Sequence, residues 1–160
     1  MLLAPGRPKY SLETGSAMKL KLPPNVIFHH DLRLMVYRDR GILKQKQVKR
    51  IVDFLDKEEA RTPKPFNRFT DMSKLDAIDL DFSFVFQIAL HRRITYSKRK
   101  GPPIKSAFYV TSPGAAQVVR IHAFVTDHSP IQVRMFTELG KAAKWLGVSE
   151  ETLEIDITSA

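Results

Sequence analysis

Four aspartates lie close together in a chain that is otherwise strongly basic. They are Asp71, Asp76, Asp79 and Asp81, within the stretch FTDMSKLDAIDLDFS, and the 160-residue chain carries a net charge of +9. Carboxylates at this spacing are typical of a divalent-metal site, a catalytic acid–base pair, a phosphate-accepting aspartate or the first turn of a helix. These four interpretations make different demands on the surrounding sequence.

The metal interpretation requires oxygen ligands that converge on one point. Asp71 ends a predicted strand, and Asp79 and Asp81 open a predicted helix, so the two ends of this crossover are able to lie side by side. The spacing of a calcium-binding loop is absent, however, and no histidine or glutamate lies beside the aspartates. We therefore predict no metal ion and no other cofactor.

A phosphate-accepting aspartate of the receiver type requires an acidic pair at the end of the first strand. The early strands offer only Asp31 and Asp39, which do not form such a pair. In this interpretation Asp71 would accept the phosphate, and Thr111 or Ser112 would supply a hydroxyl group. The missing acidic pair argues against it.

Helix capping makes the fewest demands. Asp81 or Ser83 can accept hydrogen bonds from the free backbone N–H groups at the start of the segment FSFVFQIALHRR, and acidic side chains there complement the helix dipole. This interpretation uses Asp79, Asp81 and Ser83 together, and we adopt it as the default.

A second candidate helix start follows the predicted strand KSAFYVT. Thr111 and Ser112 precede Pro113, a residue typical of the first helical position. Their hydroxyl groups and the nearby N–H groups could hold an anion or form an ordinary cap. The histidines lack a metal-ligand spacing, and no nucleophile has a recognisable activating base. We assign no catalytic residue and predict that the protein is not an enzyme.

The elements that position these residues follow an alternating order. Apolar periodicity predicts a hairpin between Val26 and Gly41, then a helix, and then three strands that are each followed by a helix. Strand–helix–strand units form right-handed crossovers between parallel strands, and the hairpin adds an antiparallel edge. The predicted fold class is α/β, with a mixed sheet of about five strands and about four helices mainly on one face.

Composition divides the chain into three parts. Residues 1–24 are predicted to be a flexible basic segment, residues 25–148 to form the domain, and residues 149–160 to be a polar C-terminal tail. The start lacks the apolar core of a signal peptide, which favours a cytoplasmic location, and no apolar run is long enough to span a bilayer. The absence of cysteine excludes a disulfide framework and a thiolate metal site.

The positive charge is concentrated in the first third of the chain. A basic region of this kind can bind nucleic acid or an anionic membrane. Its charges are scattered and are not interleaved with aromatic residues, so a solvated tail and a solvated helix face explain them better. Nucleic-acid binding is therefore not favoured.

The second predicted helix carries more apolar residues than one buried face requires. Phe82, Phe84, Phe86 and Leu90 cannot share a narrow stripe, because residues two apart on a helix differ by about 200°. The third predicted helix has a similar excess. The surplus predicts an interface with another helix or a second subunit, or an apolar pocket.

The segment DMSKLDAIDLDFS resembles the strand–loop–helix region of STAS domains, the fold of bacterial anti-sigma factor antagonists. Residues 71–73 match the family's aspartate-hydrophobic-serine step, and Ile78 and Asp79 match a later hydrophobic-aspartate step. The family's regulatory phosphoserine position falls on Asp81. Aspartate would give that position a permanent negative charge without the oxygens of a phosphate. The neighbouring loop residues in this resemblance are Asp71, Ser73, Asp79 and Ser83.

The resemblance extends from about Val26 to Gly147. The segments KPFNRFTDMS, GPPIKSAFYVTSP and SPIQVRMFTELGKAAKWLGV are similar to a divergent STAS-like branch of bacterial proteins of unassigned function. That branch is grouped by fold with lipid-binding CRAL-TRIO domains. The resemblance implies a mixed sheet and a role in protein association or ligand sensing.

Two functional hypotheses remain open from the sequence. In the first, the chain is a non-enzymatic regulatory or protein-interaction module that lacks the usual phosphoserine and binds a protein partner or a second copy of itself. In the alternative, it binds or senses an apolar small molecule or a lipid. The surplus of apolar residues in the second and third predicted helices is compatible with both.

Overall fold

The computed structural model describes residues 21–62 and 64–154. Residues 1–20 of the predicted N-terminal segment and residues 155–160 of the predicted tail lie outside the described residues. The strands are β1 (Val26–His29), β2 (Leu34–Arg38), β3 (Gly41–Lys44), β4 (Asn67–Asp71), β5 (Leu75–Asp79), β6 (Ile104–Tyr109) and β7 (Ile131–Phe136). The helices are α1 (Gln45–Arg61), α2 (Phe82–Ser97), α3 (Pro113–Thr126), α4 (Leu139–Leu146) and α5 (Glu150–Glu154).

Five strands form the main sheet, in the order β1-β2-β4-β6-β7. β1 pairs with β2 in antiparallel orientation, whereas β2, β4, β6 and β7 are parallel to one another. Parallel neighbours need a crossover connection, and α1, α2 and α3 lie in those connections. The predicted α/β architecture, a mixed five-stranded sheet with an antiparallel edge, is confirmed.

Helices cover both faces of the main sheet. Alternate strand residues such as Val36, Phe69 and Ala107 pack with α4 and α5 on one face. Their neighbours Met35 and Tyr37 pack with α1 on the other face, which α2 and α3 also cover. The three longer helices α1, α2 and α3 thus share one face, and α4 and α5 lie on the opposite face. The sequence analysis predicts about four helices mainly on one face. Within the described ranges, none of the helices combines the length and the apolar character that a membrane span requires.

A second, two-stranded sheet, which the sequence does not predict, combines β3, after the predicted hairpin, with β5, in the predicted acidic loop. β3 and β5 pair in parallel, with a register irregularity between Gly41 and Ile42. Leu75 and Ile78 of β5 are half-buried against the cluster that includes α3, whereas the aspartates of β5 are exposed. Sequence patterns miss this strand because Leu75 and Ile78 are three residues apart, which breaks the alternation, and because aspartate is rare in strands.

The first residues of the predicted polar tail form helix α5. Leu153 is completely buried there, against the cluster that contains Phe69 and Leu146. The helix is only one turn long, and Leu153 is its single apolar residue. A helix this short shows no apolar periodicity in the sequence, so the sequence pattern does not predict it. The folded domain therefore extends beyond residue 148.

We expect Leu153→Ala to destabilise the domain by about 2–5 kcal/mol, because it removes a fully buried side chain and leaves a cavity. Urea unfolding measures this free-energy change. The control is Glu154→Ala, at an exposed position of the same helix, which should change stability by at most about 0.5 kcal/mol. Equal stability of the two variants would contradict the packing of α5 on the sheet.

Candidate functional site

A partly open cavity of about 140 Å³, called here the inner cavity, lies between the main sheet and the helices α1, α2 and α3. Most of its wall is apolar and comes from all three helices and from the β3–β5 sheet. Buried wall residues are Leu43, Val52, Leu55, Val85 and Val119. An empty space of this size is unusual in a well-packed interior, where voids larger than a water molecule are few.

The sheet supplies a polar floor to the inner cavity, formed by Tyr37, Arg68, Thr70 and Ser106. Arg68 and Ser106 are register partners on β4 and β6, and Tyr37 and Thr70 are register partners on β2 and β4. Residues two apart on a strand point to the same face, so the four side chains lie together at the centre of the sheet. On the opposite face, the centre of the same strands is covered by helices and consists of apolar residues. Covering a sheet with helices therefore does not by itself require polar residues at its centre.

A buried ion-pair network, called here the arginine network, borders this floor. It consists of Glu59 from α1, Arg68 from β4, and Arg92 and Tyr96 from α2. The Glu59 carboxylate accepts hydrogen bonds from the guanidinium groups of Arg68 and Arg92 and from the Tyr96 hydroxyl. Arg92 also pairs with Asp56 at the edge of α1. The network therefore joins two helices to the middle of the sheet.

Aromatic rings pack against the two buried guanidinium groups. The Arg68 guanidinium carbon lies 5.3 Å from the centroid of Phe66 and 5.2 Å from that of Tyr96. The Arg92 guanidinium carbon lies 4.7 Å from the centroid of Tyr96. Ring faces attract cations at such distances, so these rings help to fix both guanidinium groups.

Positive charge exceeds negative charge in the buried part of this network. Two buried arginines share the single buried carboxylate of Glu59, while Asp56 is partly exposed. Burial lowers the pKa of Arg68 to about 10, so this side chain remains charged at neutral pH. Burial, followed by the charges of Arg92 and Arg68, lowers the pKa of His122 to about 4, so the imidazole beside the cavity is neutral.

Two buried polar atoms, on residues that line the inner cavity, have no hydrogen-bond partner among the described residues. They are Nε of Arg68 and Oδ2 of Asp39, and both residues are buried and line the cavity. Burial raises the pKa of Asp39 above its usual range. Leaving a buried polar atom without a partner costs about 1–3 kcal/mol, so such atoms are rare in folded proteins.

Asp71 and Ser73, which the sequence analysis places beside a regulatory site, form a closed turn at the end of β4. The Asp71 carboxylate accepts hydrogen bonds from the Ser73 backbone N–H at 2.9 Å and from its hydroxyl at 2.6 Å. Asp71 is buried, and its second oxygen lies 3.7 Å from the Arg38 guanidinium. These contacts give Asp71 a structural role in the turn.

Asp81 caps helix α2. Its carboxylate accepts a hydrogen bond from the Phe84 backbone N–H at 2.7 Å and another from the Gln45 side chain at 3.2 Å. The capping prediction is confirmed for this residue. Asp79 ends β5 and is exposed, and Ser83 is exposed in the first turn of α2. A regulatory role for this loop stays a prediction.

Ser112 caps helix α3, since its hydroxyl accepts a hydrogen bond from the Ala115 backbone N–H at 3.3 Å. Pro113 occupies the first turn of the helix, as predicted, and Thr111 is exposed. Anion binding at Thr111 and Ser112 stays a prediction.

The apolar residues predicted for an interface or a pocket separate into two groups. Phe84 is half-buried and lines the inner cavity. The other three lie on the outer side of α2, where they join Ile94 and, on α3, Phe124. These five side chains form the apolar ridge, and their exposed fractions are Phe82 64%, Phe86 49%, Leu90 41%, Ile94 55% and Phe124 80%.

Sequence analysis missed the arginine network. Each of its charged residues lies on the buried side of its element: Glu59 follows Val52 and Leu55 on α1, and Arg92 follows Val85 and Ala89 on α2. The sequence does contain one signal for a buried ion pair: charged residues of opposite sign lie on the apolar stripes of two helices.

Comparisons with known proteins find similarity in structure but not in sequence. No protein-family model matches the chain, and no curated protein sequence matches it. The chain is similar to a crystal structure of an uncharacterized protein of the DUF3478 family from Shewanella loihica PV-4, which has a SpoIIAA-like fold. The two are 15% identical, the match covers 71% of this chain and 83% of that chain, and the TM-score is 0.45.

We expect Asp81→Asn to destabilise the domain by no more than about 1 kcal/mol, because asparagine still caps a helix and only the charge near the helix dipole is lost. Thermal or urea unfolding measures the change. The control is Asp76→Asn, at an exposed position of β5. Incubation with acetyl phosphate provides a second readout. Phosphate incorporation that disappears in Asp81→Asn would show that this aspartate does more than cap the helix.

Proposed function

We propose that this protein is a non-enzymatic interaction module that self-associates through the apolar ridge of α2 and α3. The observation that carries the proposal is the exposure of five large apolar side chains on two neighbouring helices. Contiguous exposed apolar surface of this kind is typical of protein–protein contact sites. The absence of a nucleophile–base pair supports a non-enzymatic role: no serine or threonine hydroxyl in residues 21–62 and 64–154 is hydrogen-bonded to a histidine ring nitrogen.

Helix α2 has two apolar sides, and packing within the subunit uses only one. Val85, Ala89, Arg92 and Tyr96 face the interior. The ridge residues of α2 lie on the other side and follow one another at intervals of four, so they form a continuous line along the helix. Burying a large apolar side chain contributes roughly 1.5–3 kcal/mol, and several together are able to drive association.

The charges at the two ends of α2 favour a second copy of the chain as the occupant. Exposed Asp76, Asp79 and Asp81 lie at its N-terminal end, and exposed Lys98 and Lys100 follow its C-terminal end. A two-fold axis that crosses the middle of α2 makes the two copies of the helix antiparallel. The acidic end of each copy then lies beside the basic end of its partner.

These opposite charges gain little from each other within one subunit. Helix α2 has 16 residues, so its ends are separated by about 24 Å. That distance exceeds the Debye length of about 8 Å at physiological ionic strength, and salt screens the attraction. An antiparallel dimer brings the charges close together, which gives the aspartate cluster a function besides capping.

The surface between α2 and α3 suits an apolar partner. Phe82 and Phe86 line an open groove together with Ile121 and Phe124. The lining also includes the polar residues Ser83, Gln87, Gln117 and Arg120, so the groove combines apolar and polar side chains. This composition fits typical subunit interfaces, which have an apolar centre and a polar rim.

We expect the wild-type protein to be a dimer in sedimentation velocity, and Phe86→Glu to weaken dimerisation by at least about tenfold, because a charge enters the apolar contact of both copies. Circular dichroism and the thermal midpoint should change little, since Phe86 is exposed within one subunit. The matched control is Leu32→Glu, at an apolar residue of similar exposure (42%) in the turn between β1 and β2. It should leave the dimer intact.

Charge reversal tests the orientation of the dimer. Asp76→Lys with Asp79→Lys should weaken the dimer, Lys98→Glu with Lys100→Glu should also weaken it, and the combination of all four should restore it. A wild-type protein that remains monomeric at every concentration would contradict self-association. A dimer that responds to Phe86→Glu but not to charge reversal would contradict the antiparallel arrangement.

A further inference from the structure

We infer that the inner cavity is a binding site for a small organic carboxylate with an apolar body of about one ring. The inference does not depend on the apolar ridge, because the cavity lies on the side of α2 that faces the sheet, whereas the ridge lies on its outer side.

The volume limits the size of the ligand. The inner cavity measures about 140 Å³, and an engineered protein cavity of about 150 Å³ is known to hold benzene. One ring or a short branched chain therefore fills the space. A long acyl chain or a phospholipid does not fit in it.

The wall accounts for the apolar body of the ligand. Leu55 of α1, Val85 of α2 and Val119 of α3 are buried and face the cavity from three directions. A ligand surrounded in this way loses much of its contact with water, and burial of its apolar surface favours binding.

The unpartnered Nε of Arg68 accounts for the carboxylate. Arg68 lines the cavity, and its guanidinium is held in place by Glu59 and by two aromatic rings, while its Nε–H has no partner among the described residues. A hydrocarbon would leave this N–H unpartnered. A carboxylate oxygen would accept a charge-assisted hydrogen bond from it, and Ser106 is the register neighbour of Arg68 on the same face.

The surrounding charge favours an anion over a cation. Arg68 and Arg92 both line the cavity, and Glu59 is the single buried carboxylate that they share. The same positive surroundings keep His122 neutral. A ligand carboxylate would be attracted by both buried guanidinium groups, of which Arg92 also pairs with the partly exposed Asp56, whereas a ligand cation would be repelled by them.

The position of Asp39 indicates which way the ligand lies. Asp39 also lines the cavity, four residues along the chain from Met35, the register partner of Arg68. Four residues of extended chain span roughly 13 Å. The backbone of Asp39 therefore lies well away from that of Arg68, and the apolar body of a carboxylate bound at Arg68 would extend toward the Asp39 end of the cavity.

Isothermal titration calorimetry with three probes tests the ligand class on the full chain. Benzoate has both the ring and the charge, benzyl alcohol has the ring without the charge, and acetate has the charge without the ring. We expect benzoate to bind one site per chain, benzyl alcohol to bind at least about tenfold more weakly, and acetate to give no detectable heat. Benzoate that binds no better than acetate would overturn the inference.

Two variants locate the site. Arg68→Met should weaken benzoate binding at least about tenfold. The matched control Arg134→Met should leave it unchanged, because Arg134 is an exposed residue of β7 that stacks on Trp145, 5.3 Å from the ring centroid. Val118→Phe fills the cavity from α3 while Arg68 remains, and it should abolish binding of both benzoate and benzyl alcohol.

The outcomes separate this site from the proposed interface. Phe86→Glu should retain benzoate binding even as a monomer. Benzoate that binds Arg68→Met and Val118→Phe as tightly as the wild type would place it elsewhere on the protein. A crystal structure soaked in benzoate that shows only ordered water at Nε of Arg68 would likewise overturn the inference.

Discussion

The buried carboxylate of Glu59 is the constraint on which the other features of this domain depend. It neutralises part of the charge of Arg68 and Arg92 and accepts the Tyr96 hydroxyl, so one group from α1 holds both α2 and the centre of the sheet. Taking charges out of water is costly unless they are paired, and one carboxylate between two guanidinium groups satisfies that requirement only in part. The remaining positive charge and the free N–H of Arg68 give the inner cavity its polar character.

Helix α2 separates the two surfaces that suggest function. Its inner side supplies Val85 and Arg92 to the cavity and to the network, and its outer side carries most of the apolar ridge. Asp81 fixes the start of the helix through its cap, and Arg92 fixes its position over the sheet. The orientation of the ridge is therefore set by contacts on the opposite side of the same helix.

Periodicity in the sequence was sufficient to predict the mixed five-stranded sheet, the alternating helices and the cap at Asp81. It was insufficient for β5 and α5, because β5 lacks alternation and α5 depends on one buried residue, Leu153. The polar floor of the inner cavity could not be predicted from the sequence either. Alternation along β4 shows that Arg68 shares a face with Phe66 and Thr70, but the partners that bury it come from positions as distant as α2. Only the tertiary structure brings Glu59 and Arg92 to it.

The free energy of unfolding of Glu59→Gln, measured in urea, tests the central role of this carboxylate most directly. We expect a loss of about 3–5 kcal/mol, because buried Arg68 loses the carboxylate that pairs with it and buried Arg92 keeps only the partly exposed Asp56. The matched control Glu138→Gln removes a carboxylate whose 3.0 Å pair with Lys141 is exposed, and it should cost at most about 1 kcal/mol. Equal stability of Glu59→Gln and Glu138→Gln would contradict the account.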